Sequence, residues 1–242
     1  MAINAGPKIV EDGLILCLDA ANKKSYPGAG TTWTDLTANK NNSTLINGAA
    51  FDSADRGSIA LDGTDDRVDA TTLDGINFYS NPATVNFWIY LKSNSLQQYF
   101  FNKHDSSNSA ARFFAWVPSN GDLEFKINDS SYAGVKVFFT GLANQILNKW
   151  VHLVFVSSGP DFTLSSNLKV YVDGVLQTAT STENGDGFNN SEDSTGILTI
   201  GGRYYDNNRN MLANFAIFQV YNRALSASEV LQNYNATKWR FQ

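Results

Sequence analysis

The sequence predicts an all-β protein in which two antiparallel sheets stack as a sandwich, with one short helix near the C-terminus. Three features predict it: frequent tight-turn dipeptides, short β-branched and aromatic segments between them, and a single helix start. Three Asn-Gly and five Asp-Gly pairs occur in the 242 residues, and such pairs adopt the positive φ values of hairpin turns. The predicted strands are 14–19, 58–62, 84–91, 98–102, 111–117, 123–127, 135–139, 150–157, 168–172, 197–200 and 213–221.

The residue patterns of two strands indicate which faces they bury. In 168–172 the apolar residues alternate with Lys169 and Tyr171, which is typical of a strand with one face on a core. Asp173-Gly174 then turns the chain back, so a hairpin is expected here. Segment 150–157 is apolar at nearly every position, which predicts a strand in the middle of a sheet with both faces covered.

The predicted helix begins at Ser226. The pair Ser226 and Glu229 has the Ser-x-x-Glu form of a capping box, in which each side chain binds the other residue's backbone amide. Val230, Leu231 and Tyr234 follow at spacings that give one apolar stripe. We therefore expect a helix of about three turns that packs on the sandwich.

Composition limits the class of protein. A 43% hydrophobic and 17% charged chain predicts a globular fold, and without a repeat or linker we expect a single domain, 1–242. The net charge of −5 lacks the basic surface that nucleic-acid binding requires, so no nucleic acid is expected as a partner. No apolar stretch predicts a membrane span or an export signal. Cys17, the sole cysteine, lies in an apolar strand, which predicts a buried, inert thiol.

Six segments, taken in order, resemble the laminin-G-like jelly rolls of the concanavalin-A-like lectin/glucanase superfamily. They cover about residues 10 to 238 and are 61–68, 85–89, 150–153, 170–174, 198–201 and 220–230. The resemblance implies a jelly-roll β-sandwich of two antiparallel sheets.

A narrower resemblance links segments 13–20, 25–28, 32–36 and 234–236 to structural proteins of tailed bacteriophages, which decorate capsids or sit on tails and fibres. It implies a non-catalytic virion component, made in the host cytoplasm and carried on the virion surface. Its partners would be capsid or tail proteins, with a homo-oligomer as a further expectation. The alternative is an independent, extracellular calcium-dependent lectin or adhesion module.

An attachment role would need an exposed apolar patch. The candidates for it are Phe138, Phe139 and the C-terminal segment 239–241.

The sequence shows no recognisable group of catalytic residues. Glycosidases that share this fold carry a Glu-x-Asp-x-x-Glu strand motif, and two carboxylates are what glycoside hydrolysis needs. Neither Glu124 nor Glu183 stands in such a motif. His104 and His152 are the only imidazoles, too few for a zinc site with several histidine ligands. We expect no enzyme, and a polysaccharide hydrolase or lyase is the weakest alternative.

Several loops are built from Asp and Asn, whose side-chain oxygens are ligands that calcium prefers. We therefore consider two possibilities, that the protein binds calcium and that it binds no cofactor. In the relatives that the resemblance implies, calcium lies on the rim of the sandwich. Carried over by position, the metal candidates are Asp105, Asn108, Asp206 and Asn207. A second acidic cluster comprises Asp62, Asp65, Asp66 and Asp69; a turn stabilised by Asp side chains is favoured over a metal site there.

Glycan binding requires planar apolar faces beside amide and carboxylate groups. Loop 204–210 offers all of these, and cell-surface or environmental glycans are the expected ligands. Its candidate ligand-binding residues are Tyr204, Tyr205, Asp206, Asn208 and Arg209, joined by His104 from another polar loop. The alternative is that the tyrosines pack against a neighbouring strand and the asparagines only shape the loop.

Overall fold

The computed structural model of the chain describes residues 7–54, 56–70, 73, 81–104, 112–118, 120–129, 133–159, 164–185, 196–204 and 209–242. Of His104 and Arg112 it describes the backbone alone. The predicted fold class is confirmed: within these ranges seventeen strands form two antiparallel sheets, and one helix lies near the C-terminus.

The strands, in chain order, are β1 (Leu14–Asp19), β2 (Thr32–Trp33), β3 (Ser43–Ile46), β4 (Ala50–Asp52), β5 (Ser58–Asp62), β6 (Arg67–Asp69), β7 (Ala83–Leu91), β8 (Gln98–His104), β9 (Arg112–Val117), β10 (Leu123–Asn128), β11 (Gly134–Phe139), β12 (Trp150–Ser157), β13 (Leu168–Val172), β14 (Val175–Leu176), β15 (Ser181–Glu183), β16 (Leu198–Ile200) and β17 (Leu212–Tyr221). The helices are α1 (Leu142–Gln145) and α2 (Ala227–Thr237), with 3-10 turns at Ser165–Asn167 and Lys238–Arg240. Among the described residues no helix is both long and apolar enough to span a membrane.

The two sheets differ in strand order. The eight-stranded sheet runs β14-β13-β12-β7-β17-β5-β4, with β1 also paired to β17. The nine-stranded sheet runs β15-β11-β10-β9-β8-β16-β6-β3-β2. Strands that are distant in sequence therefore lie side by side, such as β6 beside β16. Because these two strands are antiparallel, the chain that follows β16 lies beside the chain that enters β6.

The core lies between the sheets and is rich in phenylalanine. Phe87 of β7 stacks on Phe155 of β12 and Phe218 of β17, with ring centroids 5.7 and 5.4 Å apart. Phe101 of β8, from the opposite sheet, meets Phe155 edge-on at 5.3 Å. Aromatic pairs in these geometries add to the stabilisation from burial alone.

The outer face of the eight-stranded sheet, which points away from this core, is also covered. Tyr221 donates its hydroxyl to Val10 O at 3.0 Å and accepts from Asn233 of α2 at 3.0 Å. Trp88 stacks on Phe241 near the C-terminus, with centroids 4.1 Å apart. The prediction that strand 150–157 has both faces covered is therefore confirmed, since seven of its eight residues are buried.

The sequence analysis did not predict the shortest strands or the helix α1. Strands β2, β3, β4, β6 and β15 have two to four residues each, too few to show an alternation. The predicted hairpin is confirmed as β13 and β14, with Asp173 and Gly174 at φ values of 51° and 79°.

Candidate functional site

A shallow cavity of about 320 Å³ opens on the outer face of the nine-stranded sheet. Its position follows from strand alternation: β3 buries Ser43 and Leu45 and turns Thr44 and Ile46 outward. Thr44 lies opposite Asp69 of β6 in the register. The wall includes Asn42, Thr44, Ile46, Asp69, Ile197 and Tyr204.

Asp69 is held in the cavity wall by Arg67. The two residues are two apart in β6, so their side chains share one face of the strand. Arg67 donates from Nε to Oδ1 at 2.8 Å and from Nη2 to Oδ2 at 3.2 Å. Burial raises the pKa of Asp69, and the bonds and charge of Arg67 act against this rise. This two-pronged pair fixes the direction of the carboxylate oxygens.

Tyr204 completes the cavity from the loop after β16. The Arg67 guanidinium carbon lies 5.6 Å from the centre of the Tyr204 ring, a cation–π contact. The start of the loop is fixed, because Thr199 donates its hydroxyl to Gly202 O at 2.9 Å. The Tyr204 side chain remains 43% exposed. An aromatic face is therefore held beside a carboxylate and still open to solvent.

The other end of this loop packs farther across the same face. The Arg209 guanidinium carbon lies 5.9 Å from the Trp116 ring, and Arg209 Nη1 is 3.5 Å from the Tyr99 hydroxyl. Tyr99 stacks on Trp116 at 5.6 Å. Next to Trp116 in the register lies Glu124, and burial is the main cause that raises the pKa of this carboxyl.

The structure brings together two of the predicted ligand residues on one face, Tyr204 and Arg209. His104 was expected in a polar loop; this is corrected, because the pairing of β8 with β9 extends the strand to His104, which is its last residue. The predicted positions Tyr205, Asp206, Asn208, Asp105, Asn108 and Asn207 lie outside the described residues. The calcium rim therefore stays a prediction. The sequence analysis missed Arg67, Asn42 and Thr44; the alternation of Arg67 and Asp69 about Val68 was the one available signal.

Only three of the four residues of the second acidic cluster lie together in the structure. Asp62, Asp65 and Asp66 converge, with carboxylate oxygens within 4.8 Å of one another. Thr64 N donates to Asp62 Oδ1 at 2.8 Å, and Asp62 N donates to Asp66 Oδ2 at 3.0 Å. These bonds are those of the turn that the sequence favoured. The grouping of Asp69 with them was wrong, because strand β6 directs that side chain to the outer face and to Arg67.

Two reactive side chain types are buried away from the cavity. Cys17 is buried as predicted, and desolvation raises the pKa of its thiol to about 11. His152 packs between Trp88 and Tyr234, with ring centroids 5.3 and 5.8 Å away, and burial lowers its pKa to about 3. Neither is poised as a nucleophile or a general base near neutral pH.

The predicted attachment patch is only partly exposed. Phe139 and Phe241 are buried, which corrects their assignment to an exposed patch. Phe241 is covered because it stacks on Trp88. Trp239, by contrast, is 75% exposed.

Comparison with known families agrees with this architecture. A sequence model of the laminin G type, described as the concanavalin A-like lectin/glucanases superfamily, matches residues 62–231. The chain belongs to this superfamily. The family prediction from the sequence is thereby confirmed, whereas these comparisons do not show the narrower phage resemblance. No curated protein matches the sequence significantly.

Solved structures resemble the chain at low sequence identity. The binding domain of botulinum neurotoxin serotype D aligns with a TM-score of 0.69 and 15% identity, over 93% of this chain and 52% of that one. The binding domain of Paraclostridial Mosquitocidal Protein 1 aligns with a TM-score of 0.66 and 18% identity, over 93% and 52%. The serotype D ligand binding domain in complex with N-acetylneuraminic acid aligns with a TM-score of 0.68 and 16% identity, over 93% of this chain and 51% of that one. The chain thus spans about half the length of these domains and shares their fold.

Proposed function

We propose that the protein is a non-catalytic carbohydrate-binding module whose site is the cavity at Tyr204 and Asp69. One observation carries the proposal: a half-exposed tyrosine ring is held over an Arg67–Asp69 pair inside a cavity of about 320 Å³. Sugars present C–H patches that pack on aromatic rings and hydroxyls that bond carboxylates and amides. Thr44 and Asn42 add further polar groups to the wall.

The similar proteins support a binding role. The superfamily description names lectins, and the matched toxin structures are binding domains, one of them crystallised with N-acetylneuraminic acid. This sugar acid is therefore a reasonable first probe. Because this chain spans only half of those domains, their ligand is a probe for this cavity and nothing more.

The chemistry of the cavity favours binding over hydrolysis. Glycoside hydrolysis uses two carboxyl groups that act as acid and as nucleophile or base. Among the described residues that line the cavity, Asp69 alone has a carboxylate, and Arg67 binds both of its oxygens. A carboxylate held in this way can orient a ligand hydroxyl, and the second carboxyl group that hydrolysis needs is missing from the described residues of the cavity wall.

A glycan array tests this proposal. The wild-type protein, Tyr204→Ala and the control Trp239→Ala are labelled equally and applied with millimolar calcium and with a chelator. We expect the wild type and Trp239→Ala to bind the same glycans and Tyr204→Ala to lose about tenfold in affinity, which is typical of losing one stacking aromatic. If the wild type binds no glycan in either buffer, the proposed function is wrong.

Two finer proposals accompany it. Calcium at Asp105, Asn108, Asp206 and Asn207 predicts that the chelator weakens glycan binding. A place on a virion, with capsid or tail proteins as partners, rests on the narrow sequence resemblance alone and predicts a symmetric oligomer in light scattering. An independent extracellular lectin predicts glycan binding without such an assembly.

A further inference from the structure

The edge of the eight-stranded sheet at β14 has an exposed apolar surface. β14 is the last strand of this sheet, and among the described strands only β13 pairs with it. Val175 and Leu176 of β14 are 64% and 52% exposed. Leu231 of α2 is 46% exposed and lies beside them, since its Cδ1 is 3.0 Å from the position that a Cβ on Gly174 would take. We call these three exposed side chains the β14 patch.

The backbone of β14 has one residue that points away from the sheet. Gln177 N donates to Val170 O at 2.9 Å, which makes these two residues a hydrogen-bonded pair of the β13–β14 hairpin. Hydrogen-bonded and non-hydrogen-bonded pairs alternate along an antiparallel ladder. The N–H and C=O of Leu176, the residue before Gln177, therefore point to the open side of the edge. Such an edge is a template for pairing with another strand.

Contacts within the chain hold this edge in position. Asp173 N donates to His152 O, and His152 N donates to Asp173 Oδ1, both at 2.9 Å. Gln177 Nε2 donates to Val175 O at 2.9 Å. The hairpin is therefore ordered before a partner binds, which lowers the entropy cost of association.

The edge strands of the two sheets differ in composition. Proteins protect sheet edges from pairing with charged side chains, among other devices. β15, at the edge of the nine-stranded sheet, consists of Ser181, Thr182 and Glu183, whereas β14 consists of two apolar residues. A surface that meets its own copy across a two-fold axis must avoid like charges near the axis. The uncharged β14 patch meets this requirement.

We propose that the β14 patch is a homodimer interface, in which β14 pairs antiparallel with β14 of a second copy. The two-fold axis passes beside Leu176, so this residue lies opposite its counterpart and the two exchange both N–H···O=C bonds. The apolar side chains of the two patches pack around the axis. The two eight-stranded sheets then form one continuous sheet.

This arrangement directs both cavities to one side of the dimer. The two-fold axis is perpendicular to the joined sheet, so the nine-stranded sheets of both copies lie on the same side of it. Two cavities that face one glycan-covered surface can bind it at the same time, which raises the apparent affinity. This consequence, unlike the interface itself, rests on the proposed function.

Light scattering of the protein at about 100 μM measures the oligomeric state. Leu176→Lys places like charges at the axis, and Leu96→Lys is the control, because Leu96 is 69% exposed and lies outside the β14 patch. We expect the wild type and Leu96→Lys to be dimers and Leu176→Lys to be a folded monomer. A monomeric wild type, or a dimeric Leu176→Lys, overturns the interface.

Cysteine variants test the strand pairing directly. The Cα atoms of a hydrogen-bonded pair lie about 5.5 Å apart, within the range of a disulfide. Leu176→Cys should therefore form a covalent dimer on air oxidation and Leu96→Cys should not, while Cys17 is buried in both. Equal cross-linking of the two variants contradicts pairing through β14.

Glycan binding separates the interface from the proposed function. On a dense glycan surface the wild type should bind at least about tenfold more tightly than Leu176→Lys, whereas the two should have equal affinity per site in solution. Equal binding to the surface by a confirmed dimer contradicts the shared direction of the cavities. A dimer that binds no glycan supports the interface and contradicts the proposed function.

Discussion

At the scale of single residues, the sequence predicted which side chains are buried or could bind a ligand better than it predicted where those side chains point. Cys17 and His152 were expected in apolar strands, and both are buried. Asp69 was misgrouped because the alternation of Arg67 and Asp69 about Val68 covers only three residues, too few to show which way a side chain points. Tyr204 and Arg209 were recognised from loop composition. Their partners Arg67 and Trp116 were not, since only the fold brings those strands beside the loop.

His152 makes stability depend on pH. Burial lowers its pKa to about 3 from an ordinary value of 6.5, so protons bind more readily to the unfolded chain. The resulting stabilisation is complete above pH 6.5 and is lost as the pH falls toward 3. Between pH 7 and pH 4.5 the free energy of unfolding should fall by about 2–3 kcal/mol.

Urea unfolding across this pH range measures the effect. His152→Phe keeps a ring between Trp88 and Tyr234 and removes the titration, so its unfolding free energy should change less with pH than that of the wild type. Parallel pH profiles for the two proteins would show that His152 is not the cause.

At the scale of elements, long patterns predicted well and short ones did not. Strand β12 and the hairpin of β13 and β14 were expected from alternation and turn chemistry. The first turn of α2 was also predicted. Ser226 Oγ accepts from Glu229 N at 3.3 Å, and Glu229 accepts from Ser226 N at 2.8 Å. Helix α1 has four residues and no side-chain cap, so nothing in the sequence marked it.

The capping box should contribute measurably to stability. Ser226→Ala removes the acceptor for Glu229 N and should lower the free energy of unfolding by about 1 kcal/mol. Asn235→Ala, later in the same helix, is the control and should change it by less than about 0.5 kcal/mol. Chemical denaturation of both variants tests this. Equal stability of Ser226→Ala and the wild type would contradict the role of the cap.

At the scale of the whole molecule, the two sheets differ in what lies on their outer faces. The eight-stranded sheet is covered on its outer face by the N-terminal segment and by α2, through contacts such as Val10 to Asn233 at 2.8 Å. The nine-stranded sheet presents the cavity and receives both described ends of loop 201–210. Six sequence segments in order were enough to predict this fold. The cavity required the structure, because it joins β3, β6 and the loop after β16 from distant parts of the chain.

The most direct test of the account is the glycan affinity of Tyr204→Ala beside that of Trp239→Ala, measured by calorimetry with the tightest wild-type ligand from the array. Both tyrosine and tryptophan are exposed, and only Tyr204 lies in the cavity. The account predicts that Tyr204→Ala raises the dissociation constant about tenfold and that Trp239→Ala leaves it unchanged. Full affinity in a folded Tyr204→Ala protein would contradict it.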